Sequence, residues 1–226
     1  MIVWQYWTGP RPAALELCME TVRRDYEDVR LIDDEQVQAM GAGEILTIRG
    51  LQPAQHADLI RIWLLAHHGG VWLDCDILSV LPIPFEALAA ETPDAWLIGF
   101  RNGRPVFPNP LLIGRACDAL RELYRRQYEL ATRLAGKPIG YTQLGPRFLA
   151  QHAKGNRGMV LRRRRPWLHP WRGYEARKFT KPASGRSALC YAAHVGKDTI
   201  RKFGSQSRKE ILRSKIAFTA LLNTVR

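Results

Sequence analysis

Gly69-Gly70-Val71-Trp72-Leu73-Asp74-Cys75-Asp76 is the stretch from which the rest of the chain can be read. A long apolar segment with helical spacing ends at the two glycines. Glycine just past the last periodic residue stops a helix, because it takes a left-handed φ without a Cβ clash. Val71-Trp72-Leu73 then reads as a short buried strand. Side chains alternate along an extended segment, so Asp74 and Asp76 are expected on one side at the strand's end. Two carboxylates that close repel each other unless a cation lies between them or one keeps its proton. An all-oxygen pair suits a hard ion, Mn2+ or Mg2+, that would also bridge to phosphates.

Immediately upstream, Gln52 to His68 reads as a helix with Pro53 in its first turn. Asp58 and Arg61 are three apart and so share a face. The rest of this helix is mostly apolar, which predicts burial, and a buried charge pair needs a reason. One reason is a structural i,i+3 ion pair. The other is that both groups line a site beside the aspartates.

Ala57-Asp58-Leu59-Ile60-Arg61 followed by Gly69-Gly70-Val71-Trp72-Leu73-Asp74-Cys75-Asp76 resembles the DXD signature of glycosyltransferase family 32, which includes bacterial capsular-polysaccharide synthesis proteins. Ile2-Val3-Trp4-Gln5-Tyr6-Trp7-Thr8-Gly9 is similar to the first strand of the capsular group. The clear resemblance covers roughly residues 1 to 80. It implies a GT-A-like, Rossmann-type nucleotide-sugar transferase fold and transfer with retention from a nucleotide sugar, expected to be a UDP-sugar. It also implies roles. Asp76, with Asp74 directly or through water, would hold Mn2+ or Mg2+; Asp58 and Arg61 would bind sugar hydroxyls or phosphate. Trp72 would shape the nucleotide pocket, and Trp4 would stack on the base. Trp7 is expected in the core.

On either side of this centre, residues 2–7 read as a buried first strand. Pro12 to Tyr26 carries apolar residues at helical spacing, Val29–Ile32 is a short strand, and Asp33-Asp34-Glu35 opens another helix with acids at its positive end. This β-α-β-α order predicts an α/β sheet with ligands at the carboxyl ends of its strands. Downstream, Ile77 to Leu81 reads as the tail of the aspartate-bearing strand. Ala95–Phe100 is a strand, Asn102-Gly103 a hairpin signal, and 114–134 a helix. Asn109, before Pro110, is either a turn former or, by the resemblance, a sugar-facing catalytic group. Gly140-Tyr141-Thr142-Gln143-Leu144-Gly145-Pro146 is similar to the family's Thr-Gly-Pro loop but has Leu144 in place of the threonine. Ala188 to His194 reads as a late strand. The resemblance puts a histidine there close to the metal, so His194 is a candidate ligand, although Val195-Gly196-Lys197 stands where relatives often have Ser-Trp.

The chain of 226 residues is long enough for one domain with a real core. One domain over 1–226 with a mixed central sheet is expected, divided into a nucleotide-sugar and metal half (1–100), an acceptor half (101–204) and a basic C-terminal helix (205–226). No apolar run is long enough to span a membrane, and no secretory pattern opens the chain. Cys18, Cys75, Cys117 and Cys190 form no CxxC, which suits reduced thiols and a cytoplasmic location.

Net charge is +13 but unevenly spread. Residues 1–100 hold six arginines and no lysine against fifteen acids, net −9; residues 101–226 hold 28 basic and six acidic residues, net +22. A half that basic attracts polyanions. The expected partners are a nucleotide-sugar donor and a polysaccharide, lipopolysaccharide or lipid-linked glycan acceptor. Arg162, Arg163, Arg164 and Arg165 are the candidate contacts to an anionic inner-membrane face, which makes the protein peripheral there. Two other functions compete. Apolar-Asp-x-Asp also opens haloacid-dehalogenase-like phosphohydrolases, where Asp74 would be the nucleophile; Leu78 stands where they carry Thr or Val. A nucleic-acid-binding protein would account for the basic half but not for the aspartate pair, and nucleic acid is the less favoured partner.

Overall fold

The computed structural model describes residues 1–79, 81–101, 110–163, 169–170, 192–194, 200, 203 and 206–213. The chain forms two compact units. The first comprises 1–8, 30–73 and 84–163, the second 9–29, 74–83 and 164–226. Residues from both 1–100 and 101–204 contribute to each unit.

The first unit is built on a mixed six-stranded sheet in the order β2-β1-β3-β6-β5-β7. Its strands are β1 (Val3–Tyr6), β2 (Val29–Ile32), β3 (Gly70–Leu73), β5 (Leu97–Arg101), β6 (Leu111–Gly114) and β7 (Met159–Arg163). β1 runs parallel to β3 with Val3 opposite Val71 and Trp4 opposite Trp72. β6 lies antiparallel to both β3 and β5, and β7 is parallel to β5. Helix α3 (Pro53–His68) packs with α5 (Asp118–Arg133) and feeds directly into β3. Apolar residues surround α3 on nearly all sides, so it is buried along most of its length, with Leu59, Ile60, Ile62, Leu64 and Leu65 inaccessible. Its start is fixed by a capping box in which Gln52 N–H donates to Gln55 Oε1 at 2.8 Å. Short helix α2 (Asp34–Ala39) is capped the same way by Asp33 and Gln36.

The second glycine of the pair after α3 is a requirement of the sheet. Gly70 has φ +102°, and a Cβ there would stand 2.6 Å from the Ile2 carbonyl oxygen. That carbonyl accepts from Val71 N–H at 2.9 Å and begins the β1–β3 ladder. No other side chain lets the strands meet this closely.

The second unit contains α1 (Ala13–Asp25) and a three-stranded sheet in the order β4-β9-β8, with β4 (Ile77–Ser79), β8 (His169–Pro170) and β9 (Ala192–His194). Helix α1 packs on β4, and side chains fasten the two together. Thr21 Oγ1 accepts from Ser79 N–H at 2.9 Å, Ser79 Oγ donates to Asp25 Oδ2 at 2.6 Å, and Tyr26 Oη accepts from Ile83 N–H at 2.8 Å. α7 (Arg208–Arg213) falls within the expected basic helix; residues 214–226 lie outside the described residues. No described helix is long and apolar enough to cross a membrane.

The expected strands at 2–7, 29–32, 71–73 and 95–100 and the helices at 12–26, 52–68 and 114–134 are present with slightly shifted ends. Helix α5 starts later than the spacing suggests, at Asp118 after Cys117. The stretch after Asp76 differs: Ile77–Ser79 does not continue β3 but pairs with β9 in the other sheet. The hairpin signal Asn102-Gly103 lies outside the described residues.

Candidate active site

In the first unit, helix α3 carries Asp58 and Arg61 inward. Arg61 Nη2 lies 3.3 Å from Asp58 Oδ1, and both side chains are 5% exposed. The guanidinium makes two further contacts: Nε donates to the Ala57 carbonyl at 3.1 Å, and Cζ sits 5.0 Å from the centre of the Trp72 ring. A cation over an indole face is held by the ring quadrupole, more strongly when water is excluded. Asp58, Arg61 and Trp72, separate in the sequence, therefore form one cluster between the middle of α3 and β3.

Trp4 lies beside it in register with Trp72 and is 2% exposed. Its indole N–H donates to the Gly69 carbonyl at 2.8 Å, its ring is 5.6 Å from His68, and the Arg30 guanidinium lies 5.4 Å from its centre. Trp7, past the carboxyl end of β1, is half-buried. The expectation of a core Trp7 is thus not met in full: Trp4 lies inside β1 and is buried, whereas Trp7 follows the strand's last residue, Tyr6, and is half-buried. Beyond β1, Tyr6 Oη donates to Asp34 Oδ1 at 2.5 Å and Thr8 Oγ1 to Asp34 Oδ2 at 3.0 Å. Burial and the Asp34 carboxylate push the Tyr6 hydroxyl far above its ordinary range.

Two glutamines that the sequence reading passed over hold this cluster from behind. Gln127 on α5 is fully buried, and its Nε2 donates to the Asp58 carbonyl at 2.9 Å and to the Leu144 carbonyl at 2.7 Å. Gln55 Nε2 donates to the Ile139 carbonyl at 3.1 Å. Together they fasten the 139–145 loop and helix α3 in one arrangement. The signal was present for Gln127, a lone polar residue in the apolar stripe Leu120, Leu123, Gln127, Ala131.

In the second unit, Asp74 and Asp76 occupy a tight turn, not a strand. The Asp74 carbonyl accepts from Ile77 N–H at 3.0 Å, closing four residues, and both carboxylates are half-buried. The period-two argument for their shared side does not apply here, because the chain turns at Asp74 instead of running extended through Asp76. Cys75 between them is buried. The fully buried Cys18 thiol on α1 is pushed well above its usual value, by burial first and then by the Asp76 carboxylate and Cys75. β9 pairs with β4 so that His194 stands opposite Ile77, the residue next to Asp76. The His194 side chain lies outside the described residues, as does Asn109. Arg162 and Arg163 end β7, their side chains undescribed; Arg164 and Arg165 lie outside the described residues.

Among the described residues no three His, Cys, Asp or Glu side chains converge as a metal cage. Two half-buried carboxylates two residues apart on a turn are nonetheless a donor type that suits Mg2+ or Mn2+, which bind through one or two carboxylates and complete their shell with water and phosphate oxygens.

Residues 2–93 match the family described as capsular polysaccharide synthesis protein. That span contains Trp4, Asp58, Arg61, Trp72, Asp74 and Asp76. No curated protein sequence matches. Among solved structures, the chain resembles the galactosyltransferase LgtC, crystallised in complex with donor and acceptor sugar analogs (TM-score 0.55, 12% identity, covering 100% of this chain and 96% of that one). It also resembles a glycosyltransferase involved in glycosylation of the PBCV-1 major capsid (0.54, 11%, 89% and 95%), and the glycosyltransferase GlyE of Streptococcus pneumoniae TIGR4 (0.52, 11%, 98% and 62%). The fold is that of GT-A glycosyltransferases.

Proposed function

We propose that the protein is a metal-dependent glycosyltransferase that moves a sugar from a nucleotide sugar, of the UDP class, to a polysaccharide, lipopolysaccharide or other glycan acceptor with retention at the anomeric carbon. The observation that carries this reading is the Asp74-Cys75-Asp76 turn: two half-buried carboxylates directly after β3 of a GT-A fold. A divalent ion bound there supplies charge neutralisation for a diphosphate leaving group. The chain's own residues do the rest. Asp76 and Asp74 would supply the oxygen donors, on a backbone held by the turn's hydrogen bond and by the fastening of its exit strand to α1 through Thr21 and Asp25. Arg61, oriented by Asp58 and by the Trp72 face, offers a cation whose side-chain entropy is already spent, and Asp58 can accept from a sugar hydroxyl. Trp72 forms a wall of the nucleotide pocket. A base stacking on Trp4 takes the place of the exposed Arg30 guanidinium, while Trp7 offers a ring at the strand's rim. Asn109 and His194 remain proposed contributors to the sugar and metal contacts. Arg162–Arg165 are proposed to face an anionic membrane surface carrying the acceptor, with the protein peripheral on the inner membrane.

The test is a thermal-shift screen of nucleotide sugars with and without Mn2+ on wild type and Asp76→Asn, since a bound ligand raises apparent stability. The expected result is a donor-dependent rise that needs the ion and is lost in a folded Asp76→Asn protein, together with loss of transfer. Full activity in the folded variant would overturn the reading.

A further inference from the structure

The first unit carries an open groove of about 440 Å³ between the 47–49 segment and the carboxyl end of α5, lined by Thr47, Arg49, Tyr128 and Thr132 among others. A row of rings leads into it. His67 lies 6.0 Å from Tyr124, and Tyr124 lies 6.0 Å from Tyr128. Tyr124, Tyr128 and Thr132 are spaced four apart on α5, so they follow one another along a single face. Both tyrosines are half-buried and His67 is exposed.

The polar groups lining the groove have a consistent sense, whereas the Tyr124 hydroxyl, outside the groove, donates to the exposed Glu44 carboxylate at 3.3 Å. Thr47 Oγ1 donates to the Glu44 carbonyl at 2.9 Å and Thr132 Oγ1 to the Tyr128 carbonyl at 3.0 Å, so each hydroxyl proton is used internally and its lone pairs are left to accept. Arg49 is exposed, and among the described residues its guanidinium has no acidic partner. Its carbonyl is occupied by Gly136 N–H at 3.0 Å, which fixes the backbone at the groove's edge. Amphipathic ring faces beside acceptors for hydroxyl protons, with one cation at the rim, suit a sugar chain that carries a carboxylate. A flat apolar partner would leave both threonine acceptors and the guanidinium unmet.

We propose that this groove binds a glycan segment bearing carboxylate groups, as a site separate from the donor chemistry. The proposal rests on the transferase reading for why a glycan is present, but not for its test. The Tyr128 ring would lie under a sugar face, Thr47 and Thr132 would accept from sugar hydroxyls, and Arg49 would pair with the carboxylate.

The experiment is an amide NMR titration of the full chain with tetragalacturonate, maltotetraose and inorganic phosphate, with no donor, metal or turnover present. Tetragalacturonate is expected to move the Gly136 and Thr132 amides. Maltotetraose should bind more weakly, and phosphate at matched concentration should leave these amides in place. Arg49→Gln, an exposed change that spares the fold, should weaken tetragalacturonate binding by about tenfold through loss of a charge-assisted bond. Tyr128→Ala should weaken it as well. Absence of shifts, equal shifts with phosphate, or unaltered affinity in Arg49→Gln would overturn the proposal. Because no sugar transfer is read, failure here leaves the transferase reading standing, and a chain that transfers no sugar can still bind.

Discussion

Two pairs of residues in this protein have the same chemistry and spacing but different surroundings. Asp118 and Arg121 open α5 with an Nη1 to Oδ1 distance of 2.5 Å, and their side chains are 100% and 46% exposed. Asp58 and Arg61 on α3 stand farther apart, at 3.3 Å, and are 5% exposed each. By distance the first pair is the better ion pair. By energetics it contributes little, because water screens both charges and long side chains lose entropy to meet. The second pair has given up its water, so its arginine needs the Trp72 face and the Ala57 carbonyl as well as Asp58. Burial, not separation, decides which pair the fold depends on.

The largest expected effect comes from breaking the buried pair on one side. Arg61→Ala should cost about 3–5 kcal/mol, because the buried Asp58 carboxylate loses the guanidinium that faces it. Urea unfolding followed by circular dichroism measures it. Replacing both partners, Asp58→Leu with Arg61→Met, should recover much of that stability, since well-packed apolar residues of similar size often substitute for a buried pair. If the pair serves the donor, the double variant should remain inactive in sugar transfer although folded. Recovery of activity along with stability would make the pair purely structural.

A smaller effect asks whether burial outweighs a neighbouring charge elsewhere in the molecule. Burial lowers the His56 ring below its ordinary range, against the opposing pull of the Asp34 carboxylate and the Ile48 carbonyl. His68 is lowered too, by burial and then by His67 and Arg30. Both rings therefore take up protons less readily folded than unfolded. Stability should fall as pH drops through the unfolded imidazole value of about 6.5. Melting curves between about pH 8 and about pH 5.5 should show this, and His56→Gln should flatten part of the slope. The smallest expected effect completes the comparison: Asp118→Asn should leave the melting temperature unchanged within measurement error, despite losing the shorter contact.

The same distinction between local and distant causes explains what could be read in advance. Helix α3 was legible because everything that makes it is local: Pro53 in the first turn, an apolar surround and two glycines at its end. The cap of α2 was legible at Asp33 for the same reason. The aspartate turn was not. Val71-Trp72-Leu73 and Ile77-Leu78 look alike, and nothing between them announces that the chain leaves one sheet for another. That exchange is dictated by β9, far along the sequence, and by Thr21 and Asp25 waiting on α1. The residues of the candidate site were legible as types at given spacings. The order of burial of Trp4 and Trp7 was not, because it depends on β1 ending at Tyr6 and on β3 covering Trp4 from the neighbouring position. Gln127 marked itself by polarity in an apolar stripe, but its two carbonyl partners belong to separate segments.

Gly70 carries a consequence for how the chain assembles. In the sheet order, β3 lies between β2-β1, made by the first thirty-two residues, and β6-β5-β7, made after residue 96. The early and late strands meet nowhere else in that sheet, so β3 is its seam. Strand β1 leaves the ribosome before β3 and keeps one edge open until the seam arrives, and non-local pairing of this kind is slow. A side chain at Gly70 would stand against the Ile2 carbonyl at the moment the seam closes. The expected signature of Gly70→Ala is therefore a loss in yield during synthesis, with nascent chains captured by chaperones or aggregated through the open edge of β1.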